Sequence, residues 1–153
     1  MQKNINIKNK KARFQYELLD KYTAGIVLAG TEIKSIRYGR ASISESFCEF
    51  NDRGELFVIN MQVDEYSHAS HYNHKPKAAR KLLLQKRELK KLLREVNTSG
   101  LTIVPLSLFI NDNGLAKIQI SLAKGKKLFD KRETMKDRDN QRDLARIKKS
   151  FNN

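Results

Sequence analysis

Residues 101–123 read LTIVPLSLFI-NDNG-LAKIQISLA, and this stretch decides the fold. Ile118, Ile120 and Leu122 alternate with Lys117, Gln119 and Ser121, a period of two that buries one side of a strand and leaves a polar, cationic other side. The preceding run, Leu101–Ile110, is apolar enough for a partner strand, and Asn111-Asp112-Asn113-Gly114 supplies the positive φ of a tight hairpin turn. Pro105 cannot donate to a ladder, so its strand carries an edge or a bulge there.

Working outward, a second hairpin has the same form: Asn51-Asp52-Arg53-Gly54 separates Phe47–Phe50 from Leu56–Asn60. Towards the N-terminus, Phe14, Tyr16 and Leu18 alternate with Gln15 and Glu17, and Ile26-Val27-Leu28 follows an expected break at Thr23-Ala24-Gly25. Thr31 is placed to cap a short helix bearing Glu32, Ile33 and Ile36, which Gly39 stops. Between the hairpins, Lys86–Val96 repeats Leu89, Leu92, Leu93 and Val96 at i, i+3, i+4, i+7, an amphipathic helix ended by Asn97-Thr98-Ser99-Gly100. About six short strands with few helices indicate a mainly β fold, a small antiparallel barrel. A helix inserted before the last hairpin suits a barrel of the OB type with covering helices.

The 153 residues make one domain, expected to divide into a basic arm at 1–13, a barrel at 14–123 and a basic tail at 124–153. The tail has only a narrow apolar stripe (Leu144, Ile147, Phe151) and is expected to fold on a partner rather than alone.

The net charge is +14, and its distribution says more than its size. Residues 1–13 carry +5, 14–74 carry −4, 75–94 carry +8, 95–123 carry −1 and 124–153 carry +6. Cations gathered into three runs beside an acidic segment favour a directional contact with a polyanion over mere solubility. A membrane is the weakest such partner, because no apolar run approaches the ~20 residues of a spanning helix. The N-terminus lacks the apolar stretch of a secretory signal, and a single cysteine, Cys48, precludes an internal disulfide, so a reduced cytoplasmic location is expected.

Catalytic chemistry finds little support. His68, His71 and His74 have H-x-x-H-x-x-H spacing in a polar loop, which reads as solvated histidines rather than a metal frame. Asp64-Glu65 are neighbours that point apart, and Cys48 has no activating base. No phosphate-binding Gly-rich loop is present. The reading is of a non-enzyme that needs neither metal nor cofactor. The basic constellations are stronger: Lys75-Pro76-Lys77-Ala78-Ala79-Arg80-Lys81 feeds an apolar run, and Lys124-Gly125-Lys126-Lys127 is followed by Phe129, which could stack on a base or pack the tail. On these features a general OB-fold protein of translation or of ribosomal RNA binding fits as well as any narrower assignment.

Further blocks are more specific: Lys10-Lys11-Ala12-Arg13, Ala24-Gly25-Ile26-Val27-Leu28, Gly30-Thr31-Glu32-Ile33-Lys34-Ser35-Ile36-Arg37, Gly39-Arg40-Ala41-Ser42, Arg80-Lys81-Leu82-Leu83-Leu84 and Gly100-Leu101-Thr102-Ile103-Val104-Pro105-Leu106. With Ala123-Lys124-Gly125-Lys126-Lys127 through Asp130-Lys131-Arg132-Glu133-Thr134 they run from about Asn9 to Asp143, in an order and spacing that resemble the bacterial SsrA-binding protein family. The resemblance implies an OB-type barrel that binds the tRNA-like domain of transfer-messenger RNA. It also implies delivery, with an elongation factor, to stalled ribosomes for trans-translation, by a protein whose tail enters the empty messenger channel at the decoding centre. No long apolar face is left over after the barrel and its helix, so a monomer is expected. By motif position the RNA face includes Asn9, Lys10, Lys11, Arg13, Tyr22, Thr23, Arg80, Lys81, Leu83, Lys117 and Lys124. The ribosomal role falls to Gly125, Lys126, Lys127, Phe129, Asp130, Lys131 and Arg132. Thr23 stands where the family often has Glu, and Ser121 where Gly is expected.

Overall fold

The computed structural model describes residues 4–69 and 72–126. In chain order the elements are β1 (Asn6–Lys8), α1 (Lys11–Gln15), β2 (Tyr16–Ile26), α2 (Gly30–Arg37), β3 (Ala41–Ser42), β4 (Phe47–Phe50), β5 (Leu56–Ile59), β6 (Gln62–Val63), β7 (Arg80–Leu83), α3 (Lys86–Ser99), β8 (Thr102–Ile110) and β9 (Ala116–Gly125). The main sheet runs β1-β8-β4-β5-β7-β2-β9, and a further β8–β9 pairing closes it into an antiparallel barrel. The mainly β, OB-type expectation holds.

Both hairpins form where their turns place them. Asn51 Oδ1 accepts from the N–H groups of Arg53 (3.0 Å) and Glu55 (2.9 Å), and Asn111 Oδ1 does the same for Asn113 (3.0 Å) and Leu115 (2.9 Å). Each turn then needs one left-handed residue, Gly54 at φ 76° and Gly114 at φ 80°. Gly114→Ala is expected to cost about 1–2 kcal/mol in urea unfolding, because a Cβ is disfavoured there on backbone grounds alone.

The predicted alternation fills the core. Ile118 and Ile120 are fully buried and Leu122 nearly so, meeting Leu56, Leu82, Leu92 and Leu108 from the other strands and α3. The Pro105 bulge is present as a register shift between Pro105 and Ser107 in the β8–β9 ladder. α3 buries Leu92 and packs Leu89 and Val96 against the same core. It runs three residues past the expected end, since Thr98 and Ser99 bond back to Arg94 and Glu95 and the left-handed residue is Gly100, at φ 65°.

Four expectations need correction. The expected arm at 1–13 is not free where it is described: Asn6–Lys8 pair with Ser107–Phe109, and Ile5 is buried. Two isoleucines spaced by two suffice for an edge strand even among lysines and asparagines. Ala12, on α1, packs with Val104 and Ala123 in a second small cluster. The expected break at Thr23-Ala24-Gly25 is absent, for β2 continues to Ile26 with β9 paired along it. The irregularity lies instead at a bulge between Leu18 and Lys21. Thr31 does not cap α2, whose flanking residue is Ala29; Glu32 closes the helix start by accepting from the Ala29 N–H at 2.8 Å. Finally, β9 extends to Gly125, so the 123/124 boundary cuts a strand: Lys124 pairs with Glu17 and Gly125 with Tyr16.

Candidate nucleic-acid interface

Because alternate β9 residues point inward, the others build one outer face with their neighbours. Register sets the rows: Gly25, Lys117, Phe109 and Asn6 stand side by side across β2, β9, β8 and β1, and Thr23, Gln119, Ser107 and Lys8 form the next row. Lys21 begins a third beside Ser121, which is not on the expected polar surface but fully buried, its hydroxyl donating to Leu122 O at 2.8 Å.

At one end of this face lies a cavity of about 370 Å³ walled by Gly25, Leu83, Arg37, Leu115 and Lys117. Gly25 brings the others together: a Cβ there would lie 3.4 Å from Leu83 Cβ and 3.7 Å from Lys117 Nζ. Leu83 is 52% exposed although its strand neighbour Leu82 is buried. Among the described residues Lys117 has no ion-pair partner. An exposed leucine beside an uncommitted ammonium can hold a base or ribose edge and a phosphate together.

At the other end is a groove of about 520 Å³ between Lys8, Lys10, Arg13, Lys21, Ser107 and Gln119. Four cations around a concave polar wall form a field that draws in a polyanion. Of these, Lys8 and Lys21 escaped the sequence reading. Lys21 stands two residues before Thr23 and so on the same side of β2, but the bulge just before it disguised the alternation.

The remaining candidates divide. Thr23, Lys10, Arg13 and Lys124 are exposed. Asn9 is only 8% exposed; its side-chain amide donates to Pro105 O at 2.9 Å and its backbone N–H to Leu106 O at 2.8 Å. It clamps β1 to the β8 bulge at the groove wall rather than presenting its amide outward. Tyr22 alternates inward and packs against the main core. Lys11 is paired with Glu45, and Lys81 with Glu55 at 2.6 Å. The Lys81 ammonium and then the Asn51 amide hold the Glu55 carboxyl below the usual range.

Arg80 leaves the interface altogether. It is 3% exposed, its Nε donates to Glu32, and its Nη atoms donate to Met61 O (2.6 Å), Pro76 O (3.1 Å) and Lys75 O (3.3 Å). The basic-run reading failed at Arg80 because period two in β7 turns it inward with Leu82.

Among the described residues Gly125 has no atom within 4 Å of a would-be Cβ, so none of them demands a glycine there. The Lys126 N–H donates to Gln15 O at 3.1 Å. Lys127, Phe129, Asp130, Lys131 and Arg132 lie outside the described residues.

The histidine loop is also part of the fold. His74 is half-buried, with Nδ1 2.9 Å from Thr31 Oγ1 and Nε2 2.8 Å from Val63 O, so both ring nitrogens are engaged. His68 sets its ring edge against Tyr66, 5.5 Å between centroids, and His71 lies outside the described residues. Cys48 is buried, and burial pushes its thiol well above the ordinary range, away from nucleophilic use. Among the described residues no cluster of His, Cys, Asp and Glu could hold a metal, and no helix is long and apolar enough to cross a membrane.

Known proteins resemble this chain. The family model described as SmpB protein matches residues 6–150. The SsrA-binding protein of Christiangramia forsetii is 71% identical over 99% of this chain and 96% of its own length. That of Flavobacterium psychrophilum is 65% identical over 99% of this chain and 100% of its own. Among solved structures, a chain from "tmRNA-SmpB: a journey to the center of the bacterial ribosome" superposes with a TM-score of 0.66 at 46% identity, covering 80% of this chain and 85% of that one. With its barrel, its cationic outer face and these relatives, the chain belongs to the SmpB family of SsrA-binding proteins.

Proposed function

We propose that the chain binds the tRNA-like domain of transfer-messenger RNA on its outer sheet face and carries it to stalled ribosomes for trans-translation. The observation that carries this reading is the convergence of Leu83 and Lys117 over Gly25, continued by the Lys8–Lys10–Arg13–Lys21 groove. Apolar contact at one end and phosphate neutralisation at the other suit a folded RNA presenting both stacked bases and backbone. Thr23, between the two, offers a hydroxyl to the ribose-phosphate chain.

The chain acts without catalysis of its own. As a monomer it presents the RNA, with an elongation factor, to the ribosome, and residues 124–153 serve the decoding centre and the empty messenger channel. Gly125 to Lys127 and Phe129 to Arg132 are the proposed contacts there.

The test is binding of labelled tRNA-like domain in excess bulk tRNA and ribosomal RNA at physiological salt. Specific binding persists, whereas non-specific binding, which depends on charge alone, is competed away. Equal competition by bulk RNA would leave only a general RNA-binding barrel of the translation machinery.

A further inference from the structure

The cations between residues 75 and 94 are unevenly used. Arg80 and Lys81 are tied to Glu32 and Glu55, and most of the others lie on α3. Arg87, Lys90, Lys91 and Arg94 stand at i, i+3, i+4 and i+7 and share one side of that helix, away from Leu92 and Val96. All four are exposed. Glu88 and Glu95 lie on the seam next to the buried side, and no acid stands three or four residues from Arg87, Lys90 or Arg94. A helix charged only for solubility gains by interleaving signs at that spacing. Among the described residues, these three cations make no ion pair.

The position of α3 gives the stripe a direction. β7 leaves the edge of β2 at the Leu83–Gly25 pair, and the chain enters α3 three residues later. Lys91 then meets Asp20 of β2 at 3.2 Å, and this carboxylate, followed by Tyr22, raises the lysine above its ordinary range. α3 therefore runs back along the β2 edge that β7 vacates, while β9 occupies the other edge. The cationic side of α3, about 10 Å from Arg87 to Arg94, flanks the face that carries Lys21, Thr23 and Lys117.

We infer that Arg87, Lys90 and Arg94 form a second phosphate-binding surface that grips the backbone of the same RNA held by the outer face. This rests on the function proposed above and extends its contact area by one helix. The stripe reads no base; it adds affinity through counterion release and sets how the RNA lies across the barrel.

The test titrates the labelled tRNA-like domain with the full chain and with a variant carrying Arg87→Gln, Lys90→Gln and Arg94→Gln. Glutamine keeps helix propensity close to that of lysine and arginine, and Lys91 is left to hold Asp20. The slope of log affinity against log salt should fall by about 2–3 in the variant. A fourfold rise in salt then weakens the parent about 16- to 64-fold more than the variant. Unchanged slope and affinity overturn the inference. So does a variant that binds the RNA normally but loses affinity for purified ribosomes, which would give the stripe to ribosomal RNA. The parent's resistance to bulk tRNA, measured alongside, reports on the functional reading separately.

Discussion

Replacing Arg80 with methionine lowers the unfolding free energy by about 3–5 kcal/mol, read from urea midpoints at constant slope. The guanidinium is buried, paired with Glu32 and bonded to the carbonyls of Met61, Lys75 and Pro76, so it joins α2, the β5–β6 turn, the loop before β7 and β7 itself. Methionine matches its length but leaves the Glu32 carboxylate without a counter-charge in a site that is 6% exposed. For a domain whose whole stability is of the order of 5–15 kcal/mol, that loss brings unfolding close to working temperature. Adding Glu32→Gln to Arg80→Met should recover part of it, since no charge then remains stranded. Arg80→Lys keeps the charge but not the fan of donors and should fall between. Below the transition, the folded fraction binds RNA as the parent does. A stable Arg80→Met variant with weakened RNA binding would instead return Arg80 to the interface.

Arg80 also marks where the sequence stops being legible. The barrel could be read because hairpin turns and period-two alternation are local: Asn111 and Gly114 state their turn, and Ile118, Ile120 and Leu122 state their face. The α3 core stripe was legible for the same reason. Partners separated by 48 residues were not, and the charge of Arg80 looked like its neighbours' until Glu32 was found beside it. His74 misled in the same way, since its bonds go to Thr31, 43 residues back, and to Val63. The candidate interface was half-visible. Lys117 lay on a strand whose polar side could be named, but Lys8 and Lys21 join it through cross-strand register, which one sequence does not spell out. Asn9 and Tyr22 turn towards the protein, because position along a motif says nothing of which way a side chain turns.

Lys117→Glu is expected to reduce affinity for the tRNA-like domain about 100-fold, or about 3 kcal/mol, while the unfolding midpoint stays near that of the parent. The Lys117 ammonium has no carboxylate to release among the described residues, so the substitution removes a phosphate partner and places a like charge against the RNA without breaking anything within the barrel. Lys117→Gln separates the two effects: it loses one phosphate contact and lowers the salt slope by about 0.7–0.9, with a correspondingly smaller fall in affinity. Leu83→Asn tests the apolar half of the same cavity and should leave the salt slope unchanged, because it removes contact area and no charge. Gly25 joins these two results. Alanine fits there, its Cβ in ordinary contact with Leu83, and should bind nearly as the parent does. Valine puts branches into the space where Leu83 and Lys117 converge, and should weaken binding by tenfold or more without a change in charge. If Gly25→Val and Lys117→Glu both bind within threefold of the parent, the RNA does not lie on this end of the face. If only Gly25→Val is silent, the cavity is a site of charge alone and Leu83 is a bystander to it.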